Sequence, residues 1–160
     1  MTQAFAYHRA VAPMMWVFVC VASVELVVVH LLVAMWRPGV ALLLSALTLA
    51  SVAWLVSVIL SFRRLPVLIE ADRLVLRVGT LKRFDVPRAQ VGGLREQWDG
   101  AALKQPGVHK LSLIAWPNVV VAIDPPLPGR RAPIAAIAHR LDDPAAFGAA
   151  LSRWLAAPSP

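Results

Sequence analysis

The sequence contains very little cysteine, since Cys20 is the only one in 160 residues. A single cysteine cannot form an intramolecular disulfide, and it offers no thiol pair for a zinc site. The four histidines (His8, His30, His109 and His139) do not have the spacing of metal ligands either. The composition therefore excludes a disulfide framework and gives no indication of a metal centre.

The short motifs that mark common catalytic sites are also missing. The sequence has no glycine-rich phosphate loop followed by Lys and Ser or Thr, and no serine in a G-x-S-x-G turn. Asp142 and Asp143 are adjacent carboxylates, but Pro144 follows them, so a helix cap is the simpler role. We therefore predict that the protein is not an enzyme, and we identify no cofactor and no small-molecule substrate.

Charged residues are nearly absent from two long stretches in the first half of the chain. From residue 11 to 36 the only acidic or basic side chains are Glu25 and His30, and from 40 to 62 there are none. Apolar residues make up 59% of the chain, whereas about 45–50% is usual in a soluble domain. Because roughly 20 helical residues cross a hydrocarbon core of about 30 Å, we predict membrane spans at about 11–36 and 40–62.

Arg37-Pro38-Gly39 separates the predicted spans and leaves space only for a tight turn, so the spans run antiparallel as a hairpin. A cleaved signal peptide is a poor alternative, because the first stretch is too long and Glu25 interrupts it. Arg63 and Arg64 follow the second span at once, whereas the turn contains only Arg37. The positive-inside rule then places both termini in the cytoplasm. The many Ala, Arg and Pro residues and few Lys suggest a bacterium with a GC-rich genome, so the predicted location is the bacterial cytoplasmic membrane.

The two ionisable side chains of the first span are candidate functional groups, because such residues are costly in lipid. Counting outward from the turn places Glu25 at the depth of Ser51 and His30 next to Ser45. Ser45, Thr48 and Ser51 recur at steps of three, on roughly one side of the second span. In one interpretation Glu25 bonds a second-span hydroxyl and fixes the hairpin. In the alternative, Glu25 and His30 belong to a proton or ion path, or contact another membrane protein.

After residue 65 the pattern changes to short alternating strands between turn residues. Pro-rich residues 125–133 are predicted as a loop, and Gly92-Gly93 as a bend or bulge. The stretch 134–141 fits a strand better than a short helix. Strands are predicted at 66–71, at two places within 73–87 joined by Gly79-Thr80, and at 91–98, 108–115, 119–124 and 134–141.

A helix is predicted near the C-terminus, where Asp142 or Asp143 precedes Pro144 in the first turn. Its apolar stripe would close one end of a small barrel or sandwich. That stripe consists of Phe147, Leu151, Trp154 and Leu155.

The stretch "IEADRLVLRVGTLKRFDVPRAQVGGL" (69–94) resembles the bacterial pleckstrin-homology-like (PH-like) domains that follow paired spans in small membrane proteins. Residues 117–124 and 141–151 resemble the family's final strand and the start of its helix. The resemblance implies a PH-like barrel or sandwich of about seven strands with a C-terminal capping helix. It also implies a surface that binds lipids, peptides or proteins rather than a catalytic site. The predicted organisation is a short cytoplasmic N-terminus (1–10), a transmembrane hairpin (11–62) and a PH-like cytoplasmic domain (64–157).

Basic residues are concentrated behind the second span. After residue 62 the chain has 14 Lys or Arg against 8 Asp or Glu, which leaves a net charge of +6. Each basic residue near an anionic leaflet contributes about 1 kcal/mol, although such charges can also serve only topology and solubility. Nucleic acid is not expected, because no aromatic platform accompanies the charge. The candidate headgroup contacts are Arg63, Arg64, Arg73, Arg77, Lys82 and Arg83.

The function predicted from these features is that of a membrane adaptor without enzymatic activity. Its PH-like domain would bind a protein partner or a second copy of the chain, with membrane lipid as a further contact. The alternative is a subunit of a larger membrane complex or of an ion- or proton-conducting assembly, in which Glu25 and His30 are functional. Replacing Glu25 by Gln distinguishes the two, because an adaptor tolerates the change and a proton path does not.

Overall fold

Two long helices pack side by side as a hairpin. In the computed structural model, which describes residues 2–129 and 132–158, helix α1 spans Ala12–Ala34 and helix α2 spans Pro38–Arg64. The turn consists of residues 35–37, rather than the predicted 37–39, because Pro38 is already the first residue of α2. Proline suits that position, since its missing N–H would have no partner inside the helix.

The helical hairpin (residues 12–64) has the length and apolar composition of two candidate membrane spans. In the most apolar 18-residue stretch of each helix, only 6% and 11% of the residues are buried. A core helix of a soluble protein would bury most of that stretch. The predicted hairpin of two long, outwardly apolar helices is therefore confirmed.

The first sheet has the strand order β1-β2-β3-β4, and all neighbours are antiparallel. Strand β1 precedes α1 in the sequence and pairs with β2, so that Phe5 lies opposite Val67. The sequence does not predict β1, because three residues are too few to show alternation. Residues from both sides of the helical hairpin therefore build one sheet. Its strands are β1 (Gln3–Phe5), β2 (Val67–Ile69), β3 (Arg73–Val78) and β4 (Lys82–Pro87).

The second sheet has the order β5-β7-β8-β6, in which β6 runs parallel to β8 and the other pairs are antiparallel. The register shifts between Val91 and Gly93, which confirms the predicted bulge. Strand β8 also confirms the preference for a strand over a helix in this segment. The strands are β5 (Val91–Leu94), β6 (Val108–Lys110), β7 (Val119–Leu127) and β8 (Ile134–His139).

Four predicted strand ends in this sheet are wrong. Two strands are shorter than predicted, since β5 ends at Leu94 instead of residue 98 and β8 ends at His139 instead of residue 141. Strand β7 continues to Leu127, because a register shift after Ala122 lets the prolines pass outside the ladder before Leu127 pairs with Ile134. The remainder of the predicted loop 125–133 includes residues 130–131, which lie outside the described residues. Strand β6 ends at Lys110 instead of residue 115. Lys110 pairs with Ala138 of the neighbouring strand β8, and β8 itself ends one residue later, at His139.

The last element is helix α3 (Pro144–Ala156), which begins as predicted. The Asp143 carboxylate accepts a hydrogen bond of 2.9 Å from the Ala146 N–H and caps the helix. Phe147 is fully buried and meets Phe5 of β1 edge-to-face, with ring centroids 5.2 Å apart. Burial of one such ring contributes roughly 1.5–3 kcal/mol, so α3 fastens both the β domain and its N-terminal strand.

The hydrophobic core extends from the β domain into the helical hairpin. One cluster contains Leu76 of β3 and Ile137 of β8 together with Val58 and Phe62 of α2. Val75 is also fully buried, although the alternation places it on the solvent side with Arg77. Val75 is paired directly with Leu68 of β2 and Asp85 of β4. Their side chains lie on the same face and shield it from solvent.

Candidate functional site

The helical hairpin and the β domain meet at Tyr7, the only tyrosine in the sequence. Its hydroxyl accepts a hydrogen bond from the Gly79 N–H (2.6 Å) and donates one to the Leu65 carbonyl (3.0 Å). Burial raises the pKa of Tyr7, against the opposing effects of the Gly79 bond and the Arg77 charge. The phenol therefore stays neutral, which allows it to donate and accept at once.

The turn between β3 and β4 packs directly on the last turn of α2. Gly79 has a φ of +49°, and a Cβ there would collide with Ser61 and lie 2.8 Å from the Phe62 ring. The Ser61 hydroxyl accepts a hydrogen bond of 3.2 Å from the Thr80 N–H. Only glycine fits both the backbone conformation and the space. We call the contact among Tyr7, Ser61, Phe62 and Gly79 the junction.

His139 lies behind Tyr7 and is 2% exposed. Its Nδ1 accepts a hydrogen bond of 2.7 Å from the Arg140 N–H, so Nε2 carries the proton and donates to the Arg77 carbonyl at 2.8 Å. Burial lowers the pKa of His139, while both backbone hydrogen bonds act in the other direction. Both ring nitrogens of His139 are therefore bonded to backbone groups, which gives this histidine a structural role.

Asp142 fastens the N-terminal segment to the β domain. Its carboxylate accepts hydrogen bonds of 3.1 and 3.3 Å from the Arg9 N–H, and its own N–H donates to the Ala6 carbonyl at 2.9 Å. The Nδ1 of His8 is 3.8 Å from the same carboxylate. Asp142 and Asp143 thus have separate structural roles, the second being the helix cap.

Three of the six candidate headgroup contacts are exposed near the junction and form no salt bridge in the described part of the chain. Arg63 and Arg64 are exposed at the end of α2. Lys82 is exposed two residues after the Gly79-Thr80 turn, which itself packs on α2. These three residues therefore combine positive charge with closeness to the apolar helices.

The other three basic residues have different surroundings. Arg73 begins β3 at the end remote from the junction, with its Nε 2.8 Å from Glu70. Arg83 makes a two-pronged hydrogen bond with Asp85, and this bond and the charge of Asp85 raise the pKa of Arg83. Arg77 is half-buried, and its Nε has no hydrogen-bond partner within residues 2–129 and 132–158.

Inside the helical hairpin, the polar contact between the helices is made by His30. Its Nδ1 lies 2.6 Å from the Ser45 hydroxyl, so these two residues meet as the counting from the turn predicts. Glu25 is exposed and lines a cavity of about 180 Å³ with Ser45 and Thr48 of α2, but it bonds no hydroxyl of α2 in the described part of the chain. Thr48 and Ser51 instead donate to the Leu44 and Leu47 carbonyls of their own helix, a common arrangement in membrane helices.

A groove of about 760 Å³ lies between β4 and β6, the outer strands of the two sheets. It is lined by Phe84 of β4, by residues 105–109 around the start of β6, and by residues 128, 129, 132 and 134 at the connection from β7 to β8. Phe84 and His109 bridge it edge-to-face, with ring centroids 5.3 Å apart. Lys104 and Lys110 are exposed close to its β6 side. The groove thus offers apolar contacts, backbone groups of two edge strands and positive charge.

Among the described residues, no group of three or more His, Cys, Asp or Glu side chains could hold a metal ion. No family model, curated protein or solved structure matches the chain.

The junction could hardly be predicted from the sequence. Its one signal is a lone tyrosine placed directly before a long apolar run.

Proposed function

We propose that this protein is a non-enzymatic membrane adaptor, anchored by its helical hairpin in a bacterial cytoplasmic membrane with both termini in the cytoplasm. The observation that carries the proposal is the shared core at the junction. Tyr7, Val58 and Phe62 belong to the same buried cluster as the sheets, and only two residues separate α2 from β2. Such a short connection holds the β domain at a fixed height and rotation relative to the hairpin.

The proposal includes a PH-like fold for the β domain. It is supported by two packed four-stranded sheets and a C-terminal helix whose Phe147 and Leu151 enter the core. Seven of the strands in the described residues follow α2, which agrees with the number that the resemblance implies. Strand β1 adds an eighth from the N-terminal side of the hairpin.

The groove between β4 and β6 is the proposed binding site for a protein partner. Each edge strand has backbone N–H and C=O groups that an extended segment can pair with. Lys104 and Lys110 beside β6 favour acidic side chains in that segment. The proposed partner therefore contributes an extended acidic stretch, and the adaptor holds it close to the membrane.

A photo-crosslinking amino acid at His109 of the full-length protein tests this site in cells. The proposal predicts one crosslinked partner at His109 that is not captured from Ala145, which is exposed at the start of α3. The charge reversals Lys104→Glu and Lys110→Glu should remove the crosslink, whereas Arg153→Glu on α3 should leave it. Equal capture at both sites, or insensitivity to the lysine reversals, would contradict the proposal. A crosslinked dimer would identify a second copy as the partner.

A second candidate function makes the hairpin part of a larger membrane complex or of an ion- or proton-conducting assembly. The contact between His30 and Ser45 and the exposed carboxyl of Glu25 favour it, because polar groups in apolar helices often serve function. Two helices enclose no pore, so this candidate requires several copies or further subunits. Loss of ion or proton conduction in Glu25→Gln would favour this candidate over the adaptor.

A further inference from the structure

Apolar side chains of the β domain are exposed at the end that faces the hairpin. Outside the helical hairpin (residues 12–64), four large hydrophobic residues in the described part of the chain are at least 40% exposed. Leu81 belongs to the turn between β3 and β4, and the other three belong to the loop between β6 and β7. Their exposures are 40% for Leu81, 43% for Leu113, 40% for Ile114 and 60% for Trp116. We call these four residues the rim.

The rim lies next to the points where the chain enters and leaves the helical hairpin. Leu113 lines a small cavity together with Val11, just before α1, and Phe62 in the last turn of α2. Leu81 directly follows the Gly79-Thr80 turn that packs on α2. Both sheets thus present apolar residues at the same end of the β domain.

The loop of the rim is held in place by two contacts with other loops of the β domain. The Arg140 side chain donates a hydrogen bond of 3.3 Å to the Trp116 carbonyl. The Trp116 ring also lies over Gly100, where an added Cβ would be 3.5 Å from the ring. A fixed loop that leaves a tryptophan mostly exposed is poorly explained by packing within the domain alone.

Tryptophans on the hairpin indicate where the membrane surface would lie. Trp16 is exposed near the domain end of α1, Trp54 is exposed in the half of α2 nearer the domain, and Trp36 lies in the turn at the far end. Twenty residues from Trp16 to Trp36 correspond to about 30 Å of helix, the thickness of a hydrocarbon core. Val11, beside Leu113, then lies about 7 Å beyond the hydrocarbon, within the headgroup layer where tryptophan is favoured.

We propose that the rim inserts into the membrane interface beside the hairpin and seats the β domain on the lipid. Leu81, Leu113 and Ile114 would enter the apolar side of the interface, while the exposed Arg63, Arg64 and Lys82 meet lipid phosphates. Continuity with the apolar helices and the nearby basic residues favour lipid over a protein as the occupant. The inference rests on the proposed insertion of the hairpin into the membrane. It assigns the lipid contact mainly to the loop after β6, part of which the sequence predicts as the end of a strand.

Lipid quenching of a single fluorescent label tests the rim in the full-length protein. In a Cys20→Ser background, Ile114→Cys and Leu81→Cys are each labelled with bimane and reconstituted in nanodiscs of phosphatidylcholine and phosphatidylglycerol. The same lipids brominated on their acyl chains provide the quencher. The matched control is Ala89→Cys, an exposed site just after β4 at the end remote from the junction. We expect brominated lipid to reduce fluorescence about twofold at both rim sites and to leave the control unchanged.

Labelling the native Cys20, which is exposed on α1, separates the two proposals. Quenching at Cys20 without quenching at either rim site would overturn the rim while leaving the anchored hairpin intact. Absence of quenching at Cys20 would overturn both. If neither brominated lipid nor aqueous iodide quenches a rim label, the label is covered by protein. That result would also contradict lipid as the occupant.

Discussion

The Tyr7 hydroxyl lies 2.6 Å from the backbone nitrogen of Gly79 and also bonds the carbonyl of Leu65, in the short connection between α2 and β2. These bonds join three segments that are far apart in the sequence: the N-terminal residues, the end of α2 and the turn between β3 and β4. The ring of His139 packs against Tyr7 with centroids 5.0 Å apart. A single phenol therefore connects the hairpin with both sheets.

Tyr7→Phe should destabilise the β domain, because it leaves the Gly79 N–H and the Leu65 carbonyl unpaired in a buried place. The expected loss is about 1–3 kcal/mol in the free energy of unfolding. Pulse proteolysis of the full-length protein in nanodiscs measures that free energy. Ser57→Ala is the control, since the Ser57 hydroxyl is exposed and bonds only its own helix. A Tyr7→Phe protein as stable as the wild type would refute the role assigned to the hydroxyl.

The fragment of residues 64–160 should not fold cooperatively on its own. It lacks β1, Tyr7 and the α2 residues Val58 and Phe62, all of which belong to the domain or its core. Loss of each large buried side chain costs about 2–5 kcal/mol, which exceeds the margin of many small domains. Circular dichroism during urea unfolding would reveal the missing transition.

A matched soluble version should restore folding of the β domain. Residues 2–13 are joined to residues 57–160 by a linker of about six Gly and Ser residues, which spans the roughly 8–10 Å between packed helices. We expect a cooperative urea transition for this chain and none for the fragment. Cooperative unfolding of both at the same urea concentration would contradict the shared core.

The free energy of unfolding should fall as the pH drops below about 6.5, because burial lowers the pKa of His139. Above that pH the imidazole is neutral in both states and its contribution is complete. Below it, the unfolded chain binds a proton that the folded protein resists, at up to about 1.4 kcal/mol per pH unit until the folded-state pKa is reached. Unfolding measured from pH 7.5 to 5.5 in nanodiscs tests this.

His139→Gln should flatten that pH dependence, and His109→Gln should preserve it because His109 is exposed. The neighbouring Tyr7, Arg77 and Arg140 do not change charge in this pH range. An equal slope in the wild type and His139→Gln would show that another group is responsible.

Under the adaptor proposal, Glu25→Gln should leave partner binding unchanged, since Glu25 is exposed and takes no part in the bond between His30 and Ser45. Liposomes containing the wild-type protein should leak protons no faster than empty liposomes, as measured with an entrapped pH-sensitive dye. A leak that Glu25→Gln abolishes would instead support the conducting assembly.

Much of the architecture can be predicted because its signals are local. Long uncharged runs indicate α1 and α2, alternation indicates β3 and β4, and an Asp-Pro step indicates the start of α3. The junction has no such signal, since Tyr7 finds its partners 58 and 72 residues away. The rim is hidden for a related reason. Leu113 continues the alternating pattern of β6, so the sequence predicts that it belongs to the strand. In the structure β6 ends earlier, at Lys110, because its neighbour β8 ends at His139.

The distance between the hairpin and the β domain tests the central claim most directly. Spin labels at Trp36→Cys in the helical turn and Glu96→Cys in the β domain, in a Cys20→Ser background, report that distance by pulsed electron paramagnetic resonance in nanodiscs. The account predicts a single distribution about as narrow as that of an Ala89→Cys and Glu96→Cys pair within the domain. A broad or multiple distribution for the first pair, beside a narrow one for the second, would contradict a β domain fixed to its membrane anchor.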